Sequence, residues 1–230
     1  MNEDTSTAGA VPKEGAGKTS LRKPTQARGK ARVDAILVAA SELIVEQGIA
    51  GVTMHALAHR SRTSIGSLYH FFADRESVLE AARERHRAAT LAIAATLVDV
   101  PTGDWRTMVV AEVIERIVTP FIDYVGSRPD YVPLMRGQAL GDDSPYLIRA
   151  MDRIIESRLP GLDAQTRADW ALMLHLIAGG TMSAGLQFDA SRTDLYTREL
   201  KRAMASYLGA VEQEWVERGN QRPVDEYLPV

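Results

Sequence analysis

Residues 53 to 76 read TMHALAHRSRTSIGSLYHFFADRE, and how this stretch folds decides the rest of the chain. Thr53 stands where a side-chain oxygen accepts a backbone N–H at a helix start, and Met54, Leu57 and Ala58 follow at i, i+3, i+4 spacing. That helix is short and ends near Arg60. Ser64 offers a second cap, after which Ile65, Leu68 and Phe72 recur on one side and are expected to point into a core. The other side carries Gly66, Ser67, Tyr69 and His70, small at its N-terminal end and polar further along. Two short amphipathic helices meeting at a tight break form a helix-turn-helix, and the outer face of the second suits a DNA major groove.

The reason is physical. A helix N-terminus offers unpaired N–H groups and a partial positive charge to a phosphate, and small residues there let the backbone approach base edges. The Tyr69 hydroxyl can reach a phosphate oxygen, and Arg75, just after a cap signal at Asp74, can add a charge-assisted phosphate contact. Both contacts would set register without reading sequence.

From Gly48 to Glu76 the residues resemble the N-terminal domain of the TetR-type transcriptional regulators. The resemblance is carried by the lead-in from Gly48 to Thr53, by Ala56-Leu57-Ala58, by Ser64 and Gly66, by Leu68-Tyr69-His70-Phe71-Phe72, and by the Asp74-Arg75-Glu76 start of a long helix. It implies an all-helical homodimer with a small DNA-binding head and a larger effector-binding body that releases DNA when ligand arrives. Two positions depart from the pattern. Where the family has a small residue followed by glycine, this chain has Ser61 and Arg62, and a left-handed conformation at Arg62 would cost about 1–2 kcal/mol. Either the turn differs or Arg62 is strained, and Arg62 is either a further phosphate contact or a tolerated surface arginine. At Arg75 the family more often has lysine, which keeps the charge but changes the donor geometry.

At 230 residues with 45% hydrophobic side chains the chain can build a real core. It has no cysteine, hence no disulfide framework and no thiolate metal site or nucleophile, which agrees with a reducing cytoplasm. Its first residues lack the apolar run of a secretory signal. The net charge of −3 is unevenly spread: residues 22 to 87 hold eleven Lys and Arg against seven Asp and Glu, whereas residues 88 to 230 hold fourteen against twenty. A basic head on an acidic body is what DNA binding through one end requires, because phosphate attraction depends on the local patch.

Residues 1 to 29 lack apolar periodicity and are expected to form a flexible tail, and the six positive residues between Lys18 and Arg32 make it a candidate arm for phosphate or minor-groove contacts. A helix is expected from Lys30 to Gln47, stopped by Gly48, and another over 75 to 98, about 36 Å long at 1.5 Å per residue. On this long helix the segment Arg83 to Arg87 reads as a solvated face. The run from Trp105 to Val125 is apolar on nearly all sides, as in a surrounded helix, and Pro120 should kink it at a cost near 3 kcal/mol. Shorter helices are expected over Tyr131 to Ala139 and Pro145 to Leu159. Nineteen residues between Asp169 and Asp189 carry no formal charge. Scattered polar residues and the strip Gly179, Gly180, Ala184 and Gly185 favour a buried subunit interface over a membrane span. With the helix from Thr193 to Arg218 this segment forms the expected dimer bundle.

No glycine-rich phosphate loop, GxSxG elbow or HExxH pair occurs, and no cofactor or metal is implied. His55 and His59 are four apart but lack a third ligand, and Glu112 with His175 reads as structural before catalytic. A mostly apolar effector cavity is expected around the kinked helix, with Phe121, Tyr124, Tyr131, Met135, His175 and Met182 as candidate lining. The sequence thus describes an all-α protein: an N-terminal three-helix head with a helix-turn-helix at 30–76, a larger effector-binding and dimerisation domain at 77–218, and a short tail at 219–230. Its expected partners are a double-stranded DNA operator, touched by Thr53, Arg62, Ser64, Gly66, Ser67, Tyr69, His70 and Arg75, a largely apolar small molecule and a second copy of itself. The competing reading is a helical ligand-binding protein or enzyme that does not touch DNA.

Overall fold

The computed structural model describes residues 23–136 and 144–219, and among these every regular element is helical. The head comprises α1 (Lys23–Gln47), a 3-10 turn (Ile49–Gly51), α2 (Met54–Arg60), α3 (Ile65–Phe71) and the start of α4 (Arg75–Val98). The body comprises α5 (Thr102–Thr107), α6 (Val110–Gly126), α7 (Tyr131–Met135), α8 (Ser144–Arg158), α9 (Ala164–Phe188), a second 3-10 turn (Ala190–Arg192) and α10 (Thr193–Glu217).

Helix α1 ends at Gly48, whose φ of +71° only a glycine adopts without strain. It is already formed at Lys23, the first described residue, seven residues before the expected start at Lys30. Apolar periodicity marks only helix that is buried on one face, and Arg28 and Lys30 are exposed, so this first stretch left no periodic trace. Ile36, Leu43, Ile44, Leu57, Leu68, Val78 and Leu79 close the head's core, each burial contributing roughly 1.5–3 kcal/mol.

Helix α4 has the expected bounds and is fixed by a reciprocal cap: Asp74 accepts from the Ser77 N–H at 2.8 Å while the Asp74 N–H donates to Ser77 Oγ at 3.2 Å. It packs on α1 in the head and on α6, α7 and α8 in the body. Its segment Arg83 to Arg87 is not simply a solvated face. His86 is 4% exposed, while Arg83 and Arg87 pair with Glu76, Glu80 and Glu84 on the outside.

The body core gathers Trp105, Ile114, Ile117, Ile154, Ile155, Leu174, Met204, Leu208 and Trp215. The expected single helix from Trp105 to Val125 is two, broken where Met108 and Val109 are extended. The break is tolerated because the Arg158 guanidinium donates to the carbonyls of Trp105 and Met108, both freed from helical bonding there. Helix α6 continues through Pro120 and is amphipathic, not surrounded: Val113, Ile114, Ile117 and Val118 face inward while Glu112, Glu115, Arg116 and Asp123 are exposed. Helix α7 covers only the first part of the expected Tyr131 to Ala139 segment, whose last residues lie outside the described ones. No helix among the described residues is long and apolar enough to cross a membrane.

Candidate nucleic-acid interface

Both caps of the helix-turn-helix are in place: Thr53 accepts from the Ala56 N–H at 3.1 Å and Ser64 from the Ser67 N–H at 3.2 Å, each worth about 1 kcal/mol. Between them α2 ends in a Schellman turn. The Thr63 N–H reaches back to the Ala58 carbonyl at 2.9 Å and the Arg62 N–H to the His59 carbonyl at 3.2 Å. This geometry demands a left-handed residue, and Arg62 supplies it at φ +53°. The family's turn is therefore kept and the arginine bears its strain.

Leu57 and Leu68 are fully buried and Phe72 nearly so, which sets α3 rigidly on α2. Ile65, expected beside them, is 39% exposed, so the inner face of α3 rests on Leu68 and Phe72, with Phe71 packed at its edge. The outer face holds Gly66, Tyr69 and His70, all exposed, and the half-buried Ser67. A Cβ at Gly66 would meet nothing within 4 Å. Glycine inside a helix costs roughly 0.5–1 kcal/mol relative to alanine, and no internal contact requires it here. The space it leaves opens outward. The Tyr69 hydroxyl has no partner among the described residues and stands on a side chain 51% exposed.

Cations around this face have divided duties. Arg60 is committed to α1, donating to Glu46 at 2.6 and 2.8 Å and to Glu42 at 3.2 Å, bonds that hold its pKa above the usual value. Arg75 is half-buried and donates from Nη2 to the Ile49 carbonyl at 2.8 Å, so the side chain expected at a phosphate also clamps the 3-10 turn of the head. Arg32, counted from the sequence only as the last charge of the basic arm, reaches the turn from α1 through bonds to the Arg62 carbonyl at 3.4 Å and Thr63 Oγ1 at 3.3 Å. Its place 30 residues upstream left no local signal.

The six expected effector-lining residues stand on α6, α7 and α9. Phe121 and Met182 pack half-buried on the body core, His175 is buried on α9 and Met135 ends α7. Tyr124 and Tyr131 stack edge-on to each other and to His86, with ring centroids 5.2–6.0 Å apart. Tyr124 also lines a cleft of about 200 Å³ between α1, α4 and α6, together with Ser41, His86, Arg128 and Asp130.

A capped helix-turn-helix with an open outer face, carried by a long helix on a helical body, is the architecture of an all-helical DNA-binding regulator. Residues 36–82 match the model of the bacterial regulatory proteins of the tetR family, and residues 110–208 match that of the tetracyclin repressor-like C-terminal domain. The chain belongs to the TetR family of transcriptional regulators. Solved structures share the fold at low identity. A TetR-family transcriptional regulator from Streptomyces coelicolor aligns at 17% identity with a TM-score of 0.55, covering 78% of this chain and 99% of that one. A TetR-like regulator from Rhodococcus sp. RHA1 aligns at 18% identity and a TM-score of 0.51, covering 78% and 96%. The transcriptional regulator FadR from Bacillus subtilis, in complex with stearoyl-CoA, aligns at 13% identity and a TM-score of 0.53, covering 76% and 98%. No curated protein matches.

Proposed function

We propose that this regulator is a cytoplasmic homodimeric repressor that holds a palindromic operator and lets it go when a small, largely apolar effector enters the body. The observation that carries the reading is the outer face of α3, where Gly66 leaves unfilled space and Tyr69 presents a hydroxyl without a partner among the described residues. Thr53, Arg62, Ser64, Tyr69 and Arg75 hold phosphates, while Gly66, Ser67 and His70 approach base edges. Two such heads grip successive major grooves about 34 Å apart.

Dimerisation runs through α9 and α10. Leu172, Met173 and Leu176 are 37–43% exposed on one face of α9, continued by the exposed Gly180 and Ala184, and α10 adds the exposed small residues Ala203, Ser206 and Ala210. A strip of apolar and small side chains of this length on a charged protein is a surface made to be covered. The effector would occupy the body near Phe121, His175 and Met182, and the B. subtilis regulator with stearoyl-CoA offers a precedent for an apolar ligand on this fold. To shift DNA affinity the effector must bind the released state more tightly, by about 1–3 kcal/mol for typical coupling.

The test is enrichment of a random duplex library on the purified full-length protein at low salt. A two-fold symmetric site with half-sites about one helical turn apart, or a multiple of it, is expected. A protein that enriches no duplex overturns the reading.

A further inference from the structure

By sequence α7 belongs to the body, but its Leu134 is anchored in the head. Leu134 is 1% exposed and lies in the head's core with Ile36, Leu79 and Ala82, not in the body's. Its carbonyl accepts from Arg83 Nε at 3.2 Å. Four residues earlier Asp130, 6% exposed, stands at the start of α7 and accepts from His86 Nε2 at 3.3 Å, with Ser41 of α1 lining the same cleft. His86 Nδ1 in turn lies 2.6 Å from the Tyr124 hydroxyl on α6. A neutral imidazole protonated on Nε2 satisfies both neighbours at once: it donates to Asp130 and accepts from Tyr124. Around this buried carboxylate stand His86 of α4, which bonds it, Ser41 of α1, and Tyr124 of α6, which reaches it only through His86.

Beside this junction the cleft of about 200 Å³ shows that α1 and α6 do not close on each other by apolar packing. A single connecting helix leaves the head free to tilt as that helix bends, and a second connection removes the freedom. We propose that α7 is this second connection, a strut with Leu134 as its anchor and Asp130 as its latch. It fixes the tilt of the head and, on the DNA-binding reading above, sets the half-site separation a dimer accepts. Both act as positioning residues, since neither lies on the outer face of α3. A shift of one base pair moves a half-site by about 3.4 Å, the scale of a small change in tilt.

Because the chain has no cysteine, spin labels can be placed at will. His59→Cys on α2 and Arg153→Cys on α8, both exposed, report the head-to-body distance in full-length protein diluted with unlabelled chain. A single narrow distance distribution is expected, widened at least two-fold by Asp130→Asn, Ser41→Ala or Leu134→Ala, with melting curves confirming that each variant is folded. If Leu134→Ala does not fold, the two polar variants still decide. An unchanged width in folded Asp130→Asn and Ser41→Ala overturns the strut. On the selected operator, wild-type binding should fall at least ten-fold when the half-sites are moved by one base pair, and Asp130→Asn should cut that ratio at least three-fold. Equal losses at every separation overturn the strut's role in spacing. Wild-type protein that selects no duplex overturns the DNA-binding reading alone, because the distance measurement does not use DNA.

Discussion

Arg32 Nη1 lies 3.4 Å from the carbonyl oxygen of Arg62, so that α1 grips the turn of the helix-turn-helix at its one left-handed residue. A Cβ at φ +53° crowds the following carbonyl, at about 1–2 kcal/mol, whereas glycine is free of that contact but loses roughly 0.5–1 kcal/mol more backbone entropy on folding. Arg62→Gly is therefore expected to stabilise the protein by about 0.5–1 kcal/mol in urea unfolding. A loss of stability would mean the turn is not strained. The salt dependence of DNA binding then decides the arginine's role: a slope shallower by about one identifies a phosphate contact, and an unchanged slope a surface side chain.

The outer face of α3 makes stability and binding move in opposite directions. Gly66→Ala fills empty space within a helix and should stabilise the head by about 0.5–1 kcal/mol while weakening every complex with DNA. Tyr69→Phe removes a hydroxyl without an internal partner, so the melting temperature should hold while affinity falls by about ten-fold on all sequences alike. Ser67→Ala and His70→Ala should instead change which bases are preferred, by about 1–3 kcal/mol at individual positions. Uniform losses across all sequences for all three polar variants would dismantle this division between phosphate and base contacts.

What the sequence disclosed follows from how far each signal reaches. The caps at Thr53, Ser64 and Asp74 are local hydrogen bonds over three residues, and all three form as expected. The inward side of α8, with Ile148, Met151, Ile154 and Ile155, is helical periodicity, and the last three are buried while Ile148 is half-buried against the same core. Ile65 fits the same periodicity yet stands out of the core, because a two-turn helix seated through Leu68 and Phe72 has no neighbour over its first residue. The contacts that escaped join distant positions: His86 to Asp130, Arg75 to the Ile49 carbonyl, Arg158 to Glu212. A charge run such as RERHR looks uniformly solvated until a neighbouring helix is known to cover one of its residues.

The small residues of α9 separate into two kinds. A Cβ on Gly185 would stand 2.8 Å from the Tyr196 ring, whereas one on Gly180 meets nothing within 4 Å. Gly185→Ala should therefore destabilise each chain by about 1–3 kcal/mol through overpacking of α9 against α10. Gly180→Leu should leave the far-ultraviolet spectrum intact and shift the sedimentation equilibrium toward monomer. Stable dimers of Gly180→Leu would move the subunit interface away from this face.

Asp130 ties the junction to pH. Burial by itself raises the carboxyl's pKa, but the hydrogen bond from His86, helped by the Ser41 hydroxyl, outweighs it and holds the pKa below the ordinary aspartate range. A carboxylate with a lower pKa folded than unfolded contributes stability that is present above the unfolded value, about 3.9, and lost as pH falls through the folded one. The stability difference between wild type and Asp130→Asn should be constant above about pH 5 and shrink below about pH 4. A difference that stays level down to about pH 3 would contradict the assigned bonds.

Arg158 and Glu212 form the ion pair farthest from solvent among the described residues. They are 3% and 4% exposed, bonded Nε to Oε1 at 2.5 Å, and the same guanidinium satisfies the carbonyls at the break between α5 and α6. Two buried charges in mutual contact rarely beat a well-packed apolar pair, but removing one strands the other at a cost of about 3–5 kcal/mol. Arg158→Met should lose that much, and Glu212→Leu a comparable amount. The double variant should recover part of the loss and not all of it, because the Trp105 and Met108 carbonyls stay without their donor at about 1–3 kcal/mol each. Guanidinium unfolding of the four proteins closes the cycle. Strict additivity of the two single losses would show that the charges are not coupled, and a double variant as stable as wild type would show that the break between α5 and α6 is held by something other than Arg158.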